Sequence, residues 1–205
     1  RSEYSMGFWD ALGQTMKLIG NGVSQLIDIS VINIDINQKY KAINQKYYEI
    51  GKRISVEEDY SGFMRPTIRT IEKNRDEIGN LNQEKMKIEQ QLNSLTTRLN
   101  KIETGFFDSS PEVVELKTEI KALKTEFSNI QTAINEKNEM IERYQLELGK
   151  EAYSEKYKNN IYGSSYQYID NLHNEISKLN VEAKKRKDQG KVDRGIIKSN
   201  IRYAI

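Results

Sequence analysis

The sequence predicts an all-α protein: a long antiparallel coiled-coil hairpin with flanking helices, in an elongated helical bundle. Only 2 of the 205 residues are Pro and 12 are Gly, so few turns are encoded. Hydrophobic residues make up 37% and charged residues 30% of the chain, a composition that suits narrow apolar seams along helices better than a wide core. Apolar residues also recur at steps of three and four, which is the coiled-coil pattern.

Residues 1–22 are predicted to hold a tag remnant and a short amphipathic helix. The first five residues have the composition of a cloning remnant, and Met6 is the expected natural start. The helix has one apolar face, formed by Phe8, Trp9, Leu12, Met16 and Ile19. The sequence Gly20-Asn21-Gly22 predicts its end. The face either docks on the bundle or lies in a membrane interface, where Trp and Phe are favoured.

Residues 23–187 are predicted to form one coiled-coil domain that begins with a helix over about 23–58. The pentapeptide Ile36–Tyr40 recurs one heptad later as Ile43–Tyr47. Steps of four and three place six residues on one stripe: Ile36, Tyr40, Ile43, Tyr47, Ile50 and Ile54.

The next two helices, about 66–103 and 111–157, are predicted to fold back on each other as the hairpin. Ser110 suits an N-cap and Pro111 the first helical position after the turn. Antiparallel pairing predicts four facing pairs: Leu99 with Leu116, Leu95 with Ile120, Leu92 with Leu123, and Ile88 with Phe127. Helix rise gives this hairpin a length of about 55–60 Å.

Polar residues interrupt the predicted seams, and aromatic residues mark the hairpin tip. Asn74, Lys85 and Lys137 occupy seam positions, where they either fix the register or contact another helix. Phe106 and Phe107 lie in the turn and either cap the coiled coil or form an exposed contact for a partner.

The chain is predicted to end in a helix over 166–187 and a basic tail over 188–205. Residues 184–202 carry a net charge of +6, although the whole chain carries only +2. Such a basic segment can bind anionic lipid or nucleic acid, or it can stay solvated. The candidate anion-binding residues are Lys184, Lys185, Arg186, Lys187, Lys191 and Arg194.

Several function classes are excluded by composition. The absence of Cys and the single histidine, His173, argue against thiolate or histidine metal sites, disulfides and catalytic triads. The carboxylates alternate with lysines as they do on solvated helix faces, so no catalytic pair stands out. There is no secretory signal and no run of about 18 apolar residues. We therefore expect no enzyme activity, cofactor, metal or small-molecule substrate, and the low net charge argues against nucleic acid as a partner.

Two resemblances to known families can be recognised. The segments Met6–Gly13 and Tyr47–Lys52 resemble the N-terminal part of small uncharacterised zinc-ribbon proteins of low-GC bacteria, although the cysteine-rich ribbon is absent here. The Met-Gly-aromatic start ahead of long charged helices is similar in architecture to phage-shock protein A and ESCRT-III-like membrane remodellers.

Together these features predict a non-enzymatic scaffold or protein-interaction protein of the bacterial cytoplasm, with a protein partner or self-association. The alternative is a peripheral membrane-binding or membrane-remodelling protein at the inner face of the membrane. It would use the N-terminal helix and the basic tail, because anchoring usually takes two weak signals.

Overall fold

The computed structural model consists of four long α-helices and one short 3-10 helix. It describes the backbone of residues 3–57, 60–103 and 110–204, and the side chains at position 17 and over 28–57, 60–102 and 110–195. The helices are α1 (Glu3–Ile54), α2 (Arg65–Glu103), α3 (Pro111–Ser154) and α4 (Asn159–Ala204), with the 3-10 helix at Gly62–Met64. No strand occurs within these described ranges, so the predicted all-α class is confirmed.

Two compact units divide the chain. One contains residues 1–46 and 158–205, and the other contains residues 47–157. We call them the terminal unit and the hairpin unit. This division differs from the predicted segments 1–22, 23–187 and 188–205, because helix α1 contributes residues to both units.

The hairpin unit contains the predicted antiparallel coiled coil of α2 and α3. Arg98 pairs with Glu112 near one end, and the hydroxyl of Thr67 donates to Glu151 near the other, so the two helices run in opposite directions. A central apolar cluster contains both members of two predicted facing pairs. Its members are Ile78, Leu81, Ile88, Leu92, Leu123, Phe127, Ile130 and Ile134.

The predicted start of α3 is also confirmed. The Ser110 hydroxyl accepts a hydrogen bond from the Val113 N–H at 3.3 Å, and Pro111 is the first helical residue. Ser110 caps a donor that has no partner within the helix, and the ring of Pro111 already has a helical φ.

At its base, the hairpin unit becomes a three-helix arrangement. The last turns of α1 lie against α3 at Gly51 and against α2 at Ser55. Deeply buried apolar residues of this region are Ile50, Ile54, Met64, Ile68, Ile71, Leu148 and Ala152.

In the terminal unit, α1 and α4 form a second antiparallel pair. Asp28 pairs with Arg186, and Lys39 pairs with Glu175. A later residue of α1 therefore pairs with an earlier residue of α4, as expected for antiparallel helices. Helix α1 buries Ile36 and Ile43 of its predicted stripe, and α4 buries Ile169 and Ile176.

The predicted helix break at Gly20-Asn21-Gly22 is wrong, because α1 continues through it from Glu3 to Ile54. The separate helix over 166–187 and the tail over 188–205 are also wrong, since α4 is one helix. A glycine inside a helix costs only about 0.5–1 kcal/mol, and helices in proteins gain most of their stability from packing.

Five of the six residues on the predicted stripe of residues 36–54 are buried. Tyr40 is the exception, because its side chain is 45% exposed. A heptad pattern identifies the side of the helix that faces a partner, but a two-helix pair covers only part of that side.

Candidate interaction surface

Two of the predicted sites fall where the structure does not describe the side chains. The predicted N-terminal face lies on α1, but its side chains are outside the described residues, as are both residues of the predicted hairpin tip. These residues are Phe8, Trp9, Leu12, Met16 and Ile19 of the face, and Phe106 and Phe107 of the tip. Their roles remain predictions.

The predicted anion-binding residues lie on helix α4 and not on a tail. The helix positions five of the six with their side chains exposed to solvent. These are Lys184, Lys185, Lys187, Lys191 and Arg194. Their spacing is therefore fixed by the helix, which a flexible tail would not provide.

Arg186 differs from its neighbours because it serves the contact between α1 and α4. Its guanidinium lies 2.5 Å from a carboxylate oxygen of Asp28, and it also pairs with Glu182 on its own helix. The side chain is partly buried. Arg186 is therefore committed to the contact between α1 and α4 and is not part of a free basic surface.

The other α4 cations differ in how far they are paired. Lys191 forms a 3.1 Å ion pair with Asp188, and the Arg194 side chain donates to the carbonyl of Gly190. Lys184, Lys185 and Lys187 have no ion pair within the described residues. Exposed ion pairs are worth about 0–1 kcal/mol, so Lys191 can exchange its partner easily.

Seven exposed residues follow one another along a single side of α4 at steps of three and four. We call them the α4 stripe: His173, Ser177, Asn180, Lys184, Lys187, Lys191 and Arg194. The stripe spans about 32 Å at the rise of an α-helix. The stripe is polar from His173 to Asn180 and basic from Lys184 to Arg194.

A groove of about 410 Å³ runs between this stripe and α1. Tyr40 forms the α1 side, and the stripe residues 173–184 form the α4 side together with Val181. Ile176 is buried, whereas the Val181 side chain is 68% exposed. The groove therefore offers apolar contacts flanked by amide, hydroxyl and ammonium groups.

A charged contact joins the two helices at Lys39 and Glu175. Lys39 Nζ lies 2.6 Å from Glu175 Oε2 and 3.5 Å from Asp35 Oδ1. The hydrogen bond with Glu175 raises the pKa of Lys39, and the same hydrogen bond lowers the pKa of Glu175. Both groups therefore stay charged at neutral pH.

The polar seam residues of the hairpin are used inside the hairpin itself. Lys85 donates to Gln131 at 2.5 Å and lies 5.0 Å above the ring of Phe127. Lys137 pairs with Glu77 across the helices. Asn74 donates to the carbonyl of Thr70 on its own helix. The two lysine contacts cross between the helices and agree with register control, one of the two interpretations of the sequence, whereas the Asn74 bond stays within α2.

A buried polar network at the base of the hairpin unit was not predicted. Arg75 donates to the carbonyl of Ser55 at 3.0 Å and to its hydroxyl at 3.1 Å, and Gln145 donates to the same hydroxyl. Arg75 thus donates to a free carbonyl at the C-terminal end of α1, where such carbonyls favour a cation. The sequence signal for this network is weak, because a single Arg in a charged helix has no special spacing.

The described residues contain no group of three or more acidic or histidine side chains placed to hold a metal ion. In the same part of the chain, none of the helices has the length and apolar character needed to cross a membrane.

Neither the known family models, nor the curated proteins, nor the solved structures include a match to this chain. The resemblances to zinc-ribbon and phage-shock proteins therefore remain predictions.

Proposed function

We propose that this chain is a non-enzymatic coiled-coil scaffold that binds other proteins through the outer faces of its helices in the bacterial cytoplasm. The supporting observation is the exposure of large apolar side chains on both helices of the terminal unit. Val31 and Ile34 of α1 are 59% and 56% exposed, and Val181 of α4 lines the groove. Neighbouring exposed apolar residues are typical of surfaces that bind partners.

The helix pair explains why these residues are available. Each helix buries one seam against the other, and a two-helix pair leaves the remaining sides uncovered. Val31 and Ile34 are three residues apart, so they lie next to each other on α1. A further helix, from another protein or from a second copy, would bury them.

Affinity capture from native cells tests this function. The wild-type chain is compared with an Ile34→Glu, Val181→Glu double variant, and circular dichroism verifies that both remain helical. We expect a defined protein to be retained by the wild type and lost with the variant. Equal retention by both, or no retained protein, would contradict the proposal.

The basic surface of α4 supports peripheral membrane binding as a second candidate. Four cations of the α4 stripe lie on one side of one helix, and each cation near an anionic bilayer contributes about 1 kcal/mol. The apolar N-terminal segment would be the second signal, placing the protein at the inner face of the membrane. This candidate predicts flotation with anionic vesicles, weaker in high salt and lost when residues 6–20 are deleted. Protein that stays at the bottom of the gradient at low salt would exclude it.

A further inference from the structure

We infer that the groove between Tyr40 and the α4 stripe binds an acidic amphipathic helix of a partner protein. The inference rests on the proposed scaffold function and names the chemistry of the partner. Three features of the terminal unit support it: the shape of the groove, its apolar floor and the unequal pairing of charges on α4.

The shape of the groove favours a helix. It lies between two antiparallel helices, and a third helix packs naturally onto such a pair. The hairpin unit of the same chain shows this arrangement, since the last turns of α1 contact both α2 and α3. A flat bilayer surface, by contrast, would contact the outermost side chains and leave the floor of a groove uncovered.

The floor and rim of the groove suit a helix with one apolar side. Ile176 is buried in the lining of the groove, whereas Tyr40 and Val181 in the same lining are exposed. An apolar residue inserted here would remove apolar surface from water on both helices. His173, Ser177 and Asn180 add polar groups along the stripe.

The charge on α4 makes the partner acidic. Between positions 173 and 194 the helix has four carboxylates, and each is already bound: Glu175 by Lys39, Glu182 by Arg186, Asp188 by Lys191 and Asp193 by Gln189.

Three lysines of the same segment, Lys184, Lys185 and Lys187, have no ion pair within the described residues. Lys184 and Lys187 belong to the stripe, and Lys191 follows four residues later. Carboxylates at steps of three and four on a facing helix would match this spacing.

The test uses the full chain and a synthetic helix as the probe. The probe has about 21 residues, with Leu at heptad seam positions and Glu at all flanking positions. A second probe replaces every Glu with Lys. Binding is measured by fluorescence anisotropy at low and high salt, and anionic vesicles are titrated in parallel.

Two triple variants with the same change in net charge provide the comparison. The stripe variant contains Lys184→Glu, Lys187→Glu and Lys191→Glu. The control variant changes three exposed lysines of α3, and it contains Lys121→Glu, Lys124→Glu and Lys150→Glu. Tyr40→Ser tests the apolar wall separately. Circular dichroism verifies that each variant keeps its helix content.

We expect the Glu probe to bind and the Lys probe not to bind. The stripe variant should weaken binding of the Glu probe at least tenfold, whereas the control variant should change it less than threefold. Tyr40→Ser should weaken binding at both salt concentrations, because its contribution is apolar.

Three outcomes would overturn the inference: no binding of the Glu probe, equal loss in the two triple variants, or stripe-dependent binding of vesicles without binding of the probe. None of these outcomes bears on the scaffold function, which is tested separately by affinity capture with the Ile34→Glu, Val181→Glu double variant. If the double variant loses the captured protein but the Glu probe does not bind, the scaffold function is supported and only the acidic nature of the partner is wrong.

Discussion

Gly51 of α1 and Gly149 of α3 face each other where the two helices cross, and neither position has room for a side chain. A Cβ atom placed on Gly51 would lie 1.7 Å from the carbonyl oxygen of Gln145. A Cβ atom placed on Gly149 would lie 1.8 Å from the carbonyl oxygen of Tyr47. Because the obstructing atoms are backbone, a larger residue can be accommodated only by separating the helices.

This crossing predicts that Gly51→Ala and Gly149→Ala each lower the free energy of unfolding by about 3 kcal/mol, near the upper end of the usual cost of overpacking. Gly79→Ala is the matched control, since nothing lies within 4 Å of its Cβ position on α2. There the change should raise the free energy of unfolding by about 0.5–1 kcal/mol. Urea titration followed by circular dichroism measures all three. Similar effects at the three sites would show that the helices do not cross this closely.

The end of α1 should depend on Arg75. Arg75→Met removes two charge-assisted hydrogen bonds to Ser55 and should lower the free energy of unfolding by about 1.5–3 kcal/mol. Arg69→Met, at an exposed position of the same helix, should change it by about 0.5 kcal/mol or less. If the two variants unfold at the same urea concentration, Arg75 does not support the end of α1.

Lys156 should carry a conformational cost. Its φ is 49°, in the left-handed region, and it follows α3 at a position where the N–H of Tyr157 bonds to the carbonyl of Ala152. Glycine is the usual residue there, because it has no Cβ to clash. Lys156→Gly should therefore be more stable than Lys156→Ala by about 1 kcal/mol.

Comparing these two variants is more informative than comparing either with the wild type. Both lose the Lys156 ammonium, which lies 4.0 Å above the ring of Tyr153. The difference between their urea midpoints therefore reports the backbone alone. An alanine variant as stable as the glycine variant would show that this conformation costs nothing.

The Glu77–Lys137 pair should make stability depend on pH. The hydrogen bond from Lys137 holds the pKa of Glu77 below its ordinary value of 4.5. A lowered pKa stabilises the folded state above pH 4.5, and this contribution is lost as pH falls through the folded-state pKa. The free energy of unfolding of the wild type should therefore exceed that of Glu77→Gln, and this difference should be largest at neutral pH and shrink in acid. The same comparison made in a Lys137→Met background should show little pH dependence.

The sequence predicted those parts of the fold that local patterns encode. The Ser110 cap, Pro111 and the heptad seams of the hairpin are short-range signals of this kind. The continuity of α1 and α4 was not predictable in this way. Gly20 and Gly195 have nothing within 4 Å of their Cβ positions, and their small helix penalty is outweighed by packing elsewhere along the helices.

The groove was also hidden from the sequence, for a different reason. Tyr40 occupies a regular seam position, yet it is 45% exposed, and a heptad pattern does not tell which seam positions a partner helix covers. The basic residues were recognised as a group, but they were assigned to a tail, and only a helix places four of them along one side. Similarly, the Gly51–Gly149 contact joins positions 98 residues apart, which no local pattern relates.

The most direct test that another protein occupies the groove is photo-crosslinking in native cells from a reactive amino acid at position 180. Asn180 lines the groove midway between Ser177 and Lys184. The matched control carries the same amino acid at Glu126, an exposed position of α3. If a protein partner occupies the groove, position 180 gives a discrete protein adduct that is absent or much weaker from position 126. No protein adduct from position 180, or the same adducts from both positions, would contradict the presence of a protein partner in the groove.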